Sequence, residues 1–98
     1  MFTIGAAVPL PSAPYYLGAI VDGSTVMLSW TAPSEPVTGF LLEAGTAPGR
    51  TDLAMLPLGP TPAISISSVP PGRYFVRVRG INDAGVGSPS GDLVVVVP

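Results

Sequence analysis

The run from Pro70 to Ser90, PPGRYFVRVRGINDAGVGSPS, constrains the fold more than any other part of the chain. A double proline and a glycine turn the chain, and apolar and polar residues then alternate as far as Asn82. One face of this segment carries Tyr74, Val76 and Val78, and the other carries Phe75, Arg77 and Arg79. Such alternation predicts a half-buried strand over Arg73–Asn82, followed by a glycine- and proline-rich loop over 82–91.

Six other segments have the length and pattern of strands, and no segment has the apolar period of a helix. These strands are predicted at Tyr16–Val21, Thr25–Trp30, Gly39–Ala44, Thr51–Leu56, Ala63–Ser67 and Asp92–Val97. The prolines lie between the apolar runs, which argues against a disordered chain. Short strands separated by Gly/Pro turns predict an all-β fold, a seven-stranded antiparallel two-sheet sandwich that is immunoglobulin-like. In the third strand we expect Phe40 and Leu42 to face inward and Glu43 to face outward.

Charge and composition exclude several classes of function. The chain has four arginines, no lysine and six acids, for a net charge of −2. Nucleic acids and anionic membranes require clustered basic residues, so neither is an expected partner. No apolar run reaches the roughly 18 residues of a transmembrane helix.

The residue inventory also predicts that the chain is not an enzyme. It contains neither histidine nor cysteine, which removes the usual nucleophile and base pairs and the common zinc ligands. The acids are dispersed, and we expect no cleft in a filled sandwich. Asp22, Asp83 and Asp92 lack the spacing of a calcium loop and are better explained as turn residues. No metal or cofactor is expected.

Beyond these patterns, the chain from 11 to 97 resembles a fibronectin type III domain, in the form common in bacterial secreted multidomain proteins. The resemblance is carried by PSAPYYL at 11–17, VMLSWTAP at 26–33, GFLLEAG at 39–45, VPPGRYFVRVRGINDAG at 69–85 and SPSGDLVVVV at 88–97. An immunoglobulin domain would instead show a Cys…Trp…Cys pattern, and this chain has no cysteine.

The resemblance implies which residues form the core. Trp30 should fill the centre of the sandwich, surrounded by Leu28, Phe40, Leu42, Ile66, Val76 and Val78. Tyr74 corresponds to the tyrosine of the E–F corner, and its hydroxyl should bond to the backbone near residues 68–69. Replacing Tyr74 by Phe should therefore lower stability by about 1–2 kcal/mol.

The chain divides into a domain over 11–98 and a preceding segment over 1–10. The first residues, FTIGAAV followed by PLPSAP, have the composition of the end of one element and a linker. One interpretation is that Phe2–Ile4 is a remnant of a preceding domain's last strand. The other is an ordinary frayed terminus.

Four surfaces are candidates for binding, each with a plainer explanation. The loops at 32–38, 58–62 and 82–91 correspond to the ligand-binding loops of the family, but they lack an aromatic anchor and an Arg-Gly-Asp motif. Tyr15 and Tyr16 could stack on a sugar ring, or one of them could simply cover the end of the sandwich. Arg77 and Arg79 could form a recognition patch or a cross-strand ion pair with Glu43. The strand at 92–97 has outward valines and could support weak self-association.

Two functions follow from the resemblance. The first is a non-catalytic spacer or presentation domain of a larger secreted or cell-surface bacterial protein, with neighbouring domains of the same polypeptide as its partners. The alternative is a module that binds protein or carbohydrate through the loops or the tyrosine pair.

Overall fold

The computed structural model describes residues 8–98, which form eight β-strands and no helix. The strands are β1 (Tyr15–Asp22), β2 (Thr25–Thr31), β3 (Gly39–Gly45), β4 (Ala54–Leu58), β5 (Ala63–Ile66), β6 (Gly72–Asn82), β7 (Gly85–Pro89) and β8 (Leu93–Val97). Nothing within this range could cross a membrane as a helix. The segment Phe2–Ile4, interpreted above as a remnant of another domain, lies outside the described residues.

The strands form two antiparallel sheets packed face to face. One sheet has three strands in the order β1-β2-β5, and the other has five. In the second sheet β4, β3 and β6 lie side by side, and β7 and β8 share the remaining edge of β6. The predicted all-β, two-sheet sandwich is therefore confirmed, although the structure has eight strands where the sequence pattern predicted seven.

The additional strand, β7, lies in the segment that was predicted to be a loop over 82–91. Three residues, 90–92, connect β7 to β8, whereas β6 has only two residues, 77 and 78, along the same stretch. One extra residue therefore interrupts the pairing with β6 where β7 ends and β8 begins. The buried Ser90 bridges this interruption. Its amide donates to the Val78 carbonyl at 2.8 Å, and its hydroxyl accepts from the Val78 amide at 2.9 Å. The strand was not predicted because its glycine and proline residues have low strand propensity.

The core lies between the two sheets. Six of the eight residues expected there are buried, namely Leu28, Trp30, Phe40, Leu42, Val76 and Val78. The other two, Ile66 and Tyr74, are only partly buried and pack against this cluster. Trp30 and Phe40 meet edge to face, with ring centroids 5.3 Å apart, an arrangement that adds to the stabilisation from burial alone.

The chain enters and leaves the sandwich at opposite ends of β6. At the end near Asn82, that side chain donates hydrogen bonds to the carbonyls of Pro9 and Pro36 at 2.8 and 2.9 Å. At the other end, Val97 in the last strand pairs with Gly72. Ten residue steps along β6 separate these points, or about 33 Å at the usual rise of a strand.

Candidate functional site

The outer face of the five-stranded sheet carries most of the positive charge of the protein. Strand alternation places Arg73, Phe75, Arg77 and Arg79 of β6 on this face. Glu43 on β3 stands opposite Arg77, Val94 and Val96 on β8 stand opposite Phe75 and Arg73, and Met55 on β4 stands opposite Glu43 on its other side. We call these eight residues the arginine face. Arg77 and Arg79 were predicted from the sequence as a possible binding surface. Phe75 was placed on the same face but not named as a candidate, and Arg73, which the same alternation places beside Phe75, was missed.

Glu43 is the centre of the arginine face. Its Oε1 atom accepts from Arg77 Nε at 2.6 Å and from Arg79 Nε at 3.0 Å. Arg79 also donates through Nη1 to the Gly87 carbonyl at 3.1 Å. The strand register places Glu43 directly opposite Arg77, so the predicted cross-strand ion pair is present.

The surroundings of Glu43 differ from the sequence prediction in one respect. Glu43 does point outward, as predicted, but only 4% of it is exposed because the two arginine side chains lie over it. Burial raises the pKa of Glu43, while the hydrogen bonds and positive charges of Arg79 and Arg77 lower it more. The net pKa lies below the ordinary carboxyl value, and Glu43 is ionised at neutral pH.

The tyrosine pair lies on a different surface from the arginine face. Tyr15 pairs with Thr31 at the start of the three-stranded sheet, and a bulge follows before Gly18. Tyr15 is 49% exposed and Tyr16 is 83% exposed, so neither covers the end of the sandwich. Tyr16 has φ = 55°, a left-handed conformation that costs free energy for a residue with a side chain. The rings meet at an interplanar angle of 69° and do not form a flat platform.

The three candidate loops meet at one end of the sandwich, as the resemblance implied. Thr38 donates to the Ile81 carbonyl at 2.7 Å, and Trp30 donates to the Pro62 carbonyl at 3.1 Å. In the third loop, predicted at 82–91, residues Gly85–Pro89 form strand β7. The part of this loop that connects β6 to β7 is a tight turn between Asn82 and Gly85. Within this turn Asn82 Oδ1 accepts from the Ala84 amide at 2.9 Å. Backbone hydrogen bonds therefore anchor the 32–38 loop to β6 and the 58–62 loop to β2.

An apolar cleft of about 240 Å³ lies at the opposite end, between β4 and β5. Its walls are almost entirely apolar and include Leu53, Leu56, Ile66, Val69, Tyr74 and Val76. The expectation that the sandwich would have no cleft was therefore wrong. Leu53 and Leu56 are 47% and 41% exposed because β4 and β5 are edge strands that do not meet to close the core.

Tyr74 closes part of the cleft end. Its hydroxyl donates to the Pro70 carbonyl at 2.6 Å, one or two residues beyond the acceptor expected from the resemblance. The bond links the start of β6 to the proline turn that precedes it. This gives a partly buried phenol the partner that it needs.

The acids of the described region lie on separate loops and strands. Among residues 8–98 there is no group of three or more acidic side chains that could hold a metal ion. Glu35 and Asp52 accept hydrogen bonds from the backbone amides of Ser12 and Thr46, and these bonds lower the pKa of each acid. Asp52 thus stabilises a local turn, and Glu35 holds the entering chain at Ser12 against the 32–38 loop.

The fold is shared with domains of several large animal proteins. The FN5 domain of Drosophila Lar superimposes with a TM-score of 0.73 at 21% sequence identity, covering 91% of this chain and 98% of that one. The FN1-FN3 domains of chicken CNTN1 give a TM-score of 0.75 at 21% identity, over 91% of this chain and 32% of that one. The twitchin kinase region from C. elegans gives 0.76 at 23% identity, over 92% of this chain but only 17% of that one.

No protein-family model and no curated protein matches the sequence. At these identities the likeness establishes a common fold, and it confirms at that level the resemblance seen in the sequence.

Proposed function

We propose that this domain, which has the fibronectin type III fold, is a non-catalytic spacer or presentation module of a larger, secreted or cell-surface protein. The observation that carries the proposal is the placement of the two chain ends. The described N-terminal residues lie beside Asn82 and the last strand ends beside Gly72, at opposite ends of the longest strand. A domain built in this way holds whatever precedes it and whatever follows it about 33 Å apart.

The surface and the composition support the same proposal. The chain lacks histidine and cysteine, and five of its ten charged side chains, those of Glu35, Glu43, Asp52, Arg77 and Arg79, form hydrogen bonds or ion pairs within the described residues. The fold also occurs as one of several consecutive domains in the CNTN1 structure. The sequence resemblance supports a secreted bacterial setting.

The spacing role can be tested by measuring the distance between the two ends. The chain has no cysteine, so Val8→Cys and Pro98→Cys introduce unique sites for spin labels. We expect a single narrow distance of roughly 35–40 Å, and about twice that value between the outermost labels of two copies joined head to tail. A tandem whose outer labels are no farther apart than those of one copy would show that the domain does not separate its neighbours.

A binding function through the tyrosine pair is a second candidate, and the strained backbone of Tyr16 favours it. Left-handed conformations of residues other than glycine are concentrated at functional sites, and this one presents an almost fully exposed ring. Saturable binding of a protein or glycan that is lost in Tyr16→Ala, but kept in Ile20→Ala on the same sheet, would support it. An array without any such ligand would oppose it.

A further inference from the structure

We propose that the arginine face is a docking surface for an acidic, partly apolar segment of a partner protein. The charge of the chain is distributed unevenly between this face and the rest of the surface. Three of the four basic residues of the chain lie on this face and one acid accompanies them, which gives it a net charge of +2. The rest of the chain carries Arg50 and five acids, a net charge of −4. An acidic partner is therefore attracted to this one face and repelled elsewhere.

The guanidinium groups of Arg77 and Arg79 are held in place by Glu43, and the arginine face retains unused hydrogen-bond donors. Arg77 donates a hydrogen bond to Glu43 through Nε, and within residues 8–98 its two terminal nitrogens have no acceptor. Arg73 is exposed and forms no ion pair in the same range. Asp83 and Asp92, which are near this face in sequence, make no ion pair with it in the described part of the chain. Because Glu43 fixes two of the side chains, less conformational entropy is lost when a carboxylate binds.

Apolar side chains on the arginine face indicate the class of partner. The arginines are flanked by Met55, Val94 and Val96, which are 55%, 49% and 57% exposed, and by the partly buried Phe75. An acidic polysaccharide presents hydroxyls and carboxylates and would leave this apolar surface unmatched. A polypeptide that alternates acidic and apolar side chains matches both components.

This inference goes beyond the proposed spacing role. A domain that only separates its neighbours needs no charge of one sign gathered on a single sheet. The two proposals also fail independently, because end-to-end distance and peptide binding are separate measurements.

The experiment is an NMR titration of the ¹⁵N-labelled chain with a capped hexapeptide of alternating glutamate and leucine. We expect saturable shifts of amide signals in β3, β6 and β8, and few in the three-stranded sheet. The matched peptide with glutamine in place of glutamate should bind at least several-fold more weakly. The absence of shifts up to millimolar peptide, or equal binding of the glutamine peptide, would overturn the proposal. Tighter binding of an oligouronate would overturn it in favour of a glycan.

Variants locate the effect. Arg73→Gln leaves the Glu43 cluster intact and should raise the Kd of the acidic peptide roughly five-fold. Arg50→Gln removes the same charge from a turn outside the arginine face and should change the Kd little. Equal effects of the two variants would mean that only overall charge matters and would refute the site.

The apolar component has its own pair of variants. Val96→Ser should weaken binding about two- to three-fold, and Ile20→Ser, which alters an equally exposed residue on the other sheet, should not. Thermal unfolding of each variant verifies that it is folded. If Val96→Ser is folded and binds like the unaltered chain, the partner is not the amphipathic segment proposed here.

Discussion

The two ends of strand β6 are closed in different ways. At the end near Asn82, prolines of the entering chain and of the 32–38 loop pack closely and are held by hydrogen bonds to Asn82 and to the Ser88 amide. We call this the proline end. At the end near Gly72, apolar side chains surround an open cleft. The Tyr74 hydroxyl donates a hydrogen bond to the Pro70 carbonyl in the proline turn there.

The difference shows how a small sandwich without disulfides distributes its constraints. Hydrogen bonds from a buried side chain such as that of Asn82 are directional and have few substitutes, whereas apolar contacts at the margin of a cleft can rearrange. Substitutions at the proline end should therefore cost more stability than substitutions at the cleft end. The predictions below measure that asymmetry.

The largest effect should come from Gly87→Ala. A Cβ atom at this position would overlap the Pro11 carbonyl oxygen, so the entering chain must move away from β7. We expect a loss of about 3 kcal/mol in the free energy of unfolding, measured by urea denaturation. Gly91→Ala is the matched control, because a Cβ atom there meets nothing within 4 Å. Equal midpoints for the two variants would show that the contact with Pro11 is not a constraint.

The next effect should come from Asn82→Ala. This change removes three hydrogen bonds, to the carbonyls of Pro9 and Pro36 and from the amide of Ala84. We expect a loss of about 2 kcal/mol, since the partners are only partly buried and water can replace some of the bonds. Asp83→Ala, one residue away and exposed, should change the unfolding free energy little. Amide hydrogen exchange should accelerate in β7 for Asn82→Ala, and unchanged exchange there would contradict the anchoring role.

The smallest effect should come from Tyr74→Phe at the cleft end. The substitution keeps the ring and removes only the bond to Pro70, so we expect a loss of about 1 kcal/mol, the lower part of the range expected from the sequence. Tyr15→Phe is the control, because the Tyr15 ring is half exposed. A loss larger than that of Asn82→Ala would reverse the proposed order of the two ends.

Alternation in the sequence was sufficient to predict most of the strands and the inward residues of the core. Trp30, Phe40 and Val78 are large or branched apolar residues in segments with a clear period of two, so their burial follows from the pattern. The same pattern could not reveal β7. Its Gly85, Gly87 and Pro89 have low strand propensity, and the strand is held by the hairpin with β6 and by a distant hydrogen bond to Pro11.

The candidate site was predictable only in part. Alternation correctly places Glu43 on the outer face, but its burial depends on two long arginine side chains folding over it from the neighbouring strand. The exposure of Tyr16 follows from a bulge and a left-handed backbone, which no residue type at that position signals. The cleft arises because β4 and β5 lie at the margins of different sheets, a property of topology.

The interruption at Ser90 has a further consequence for how copies of this domain behave when they are crowded together. A continuous edge from residue 85 to residue 97 would offer a long template for the addition of a strand from another chain. The valines of β8 would add apolar contacts with that strand. The extra residue divides that edge into two strands of five residues each, with Ser90 turned inward to satisfy the break. Short, offset edges resist fibrillar aggregation, so any self-association through residues 92–97 would be brief and limited.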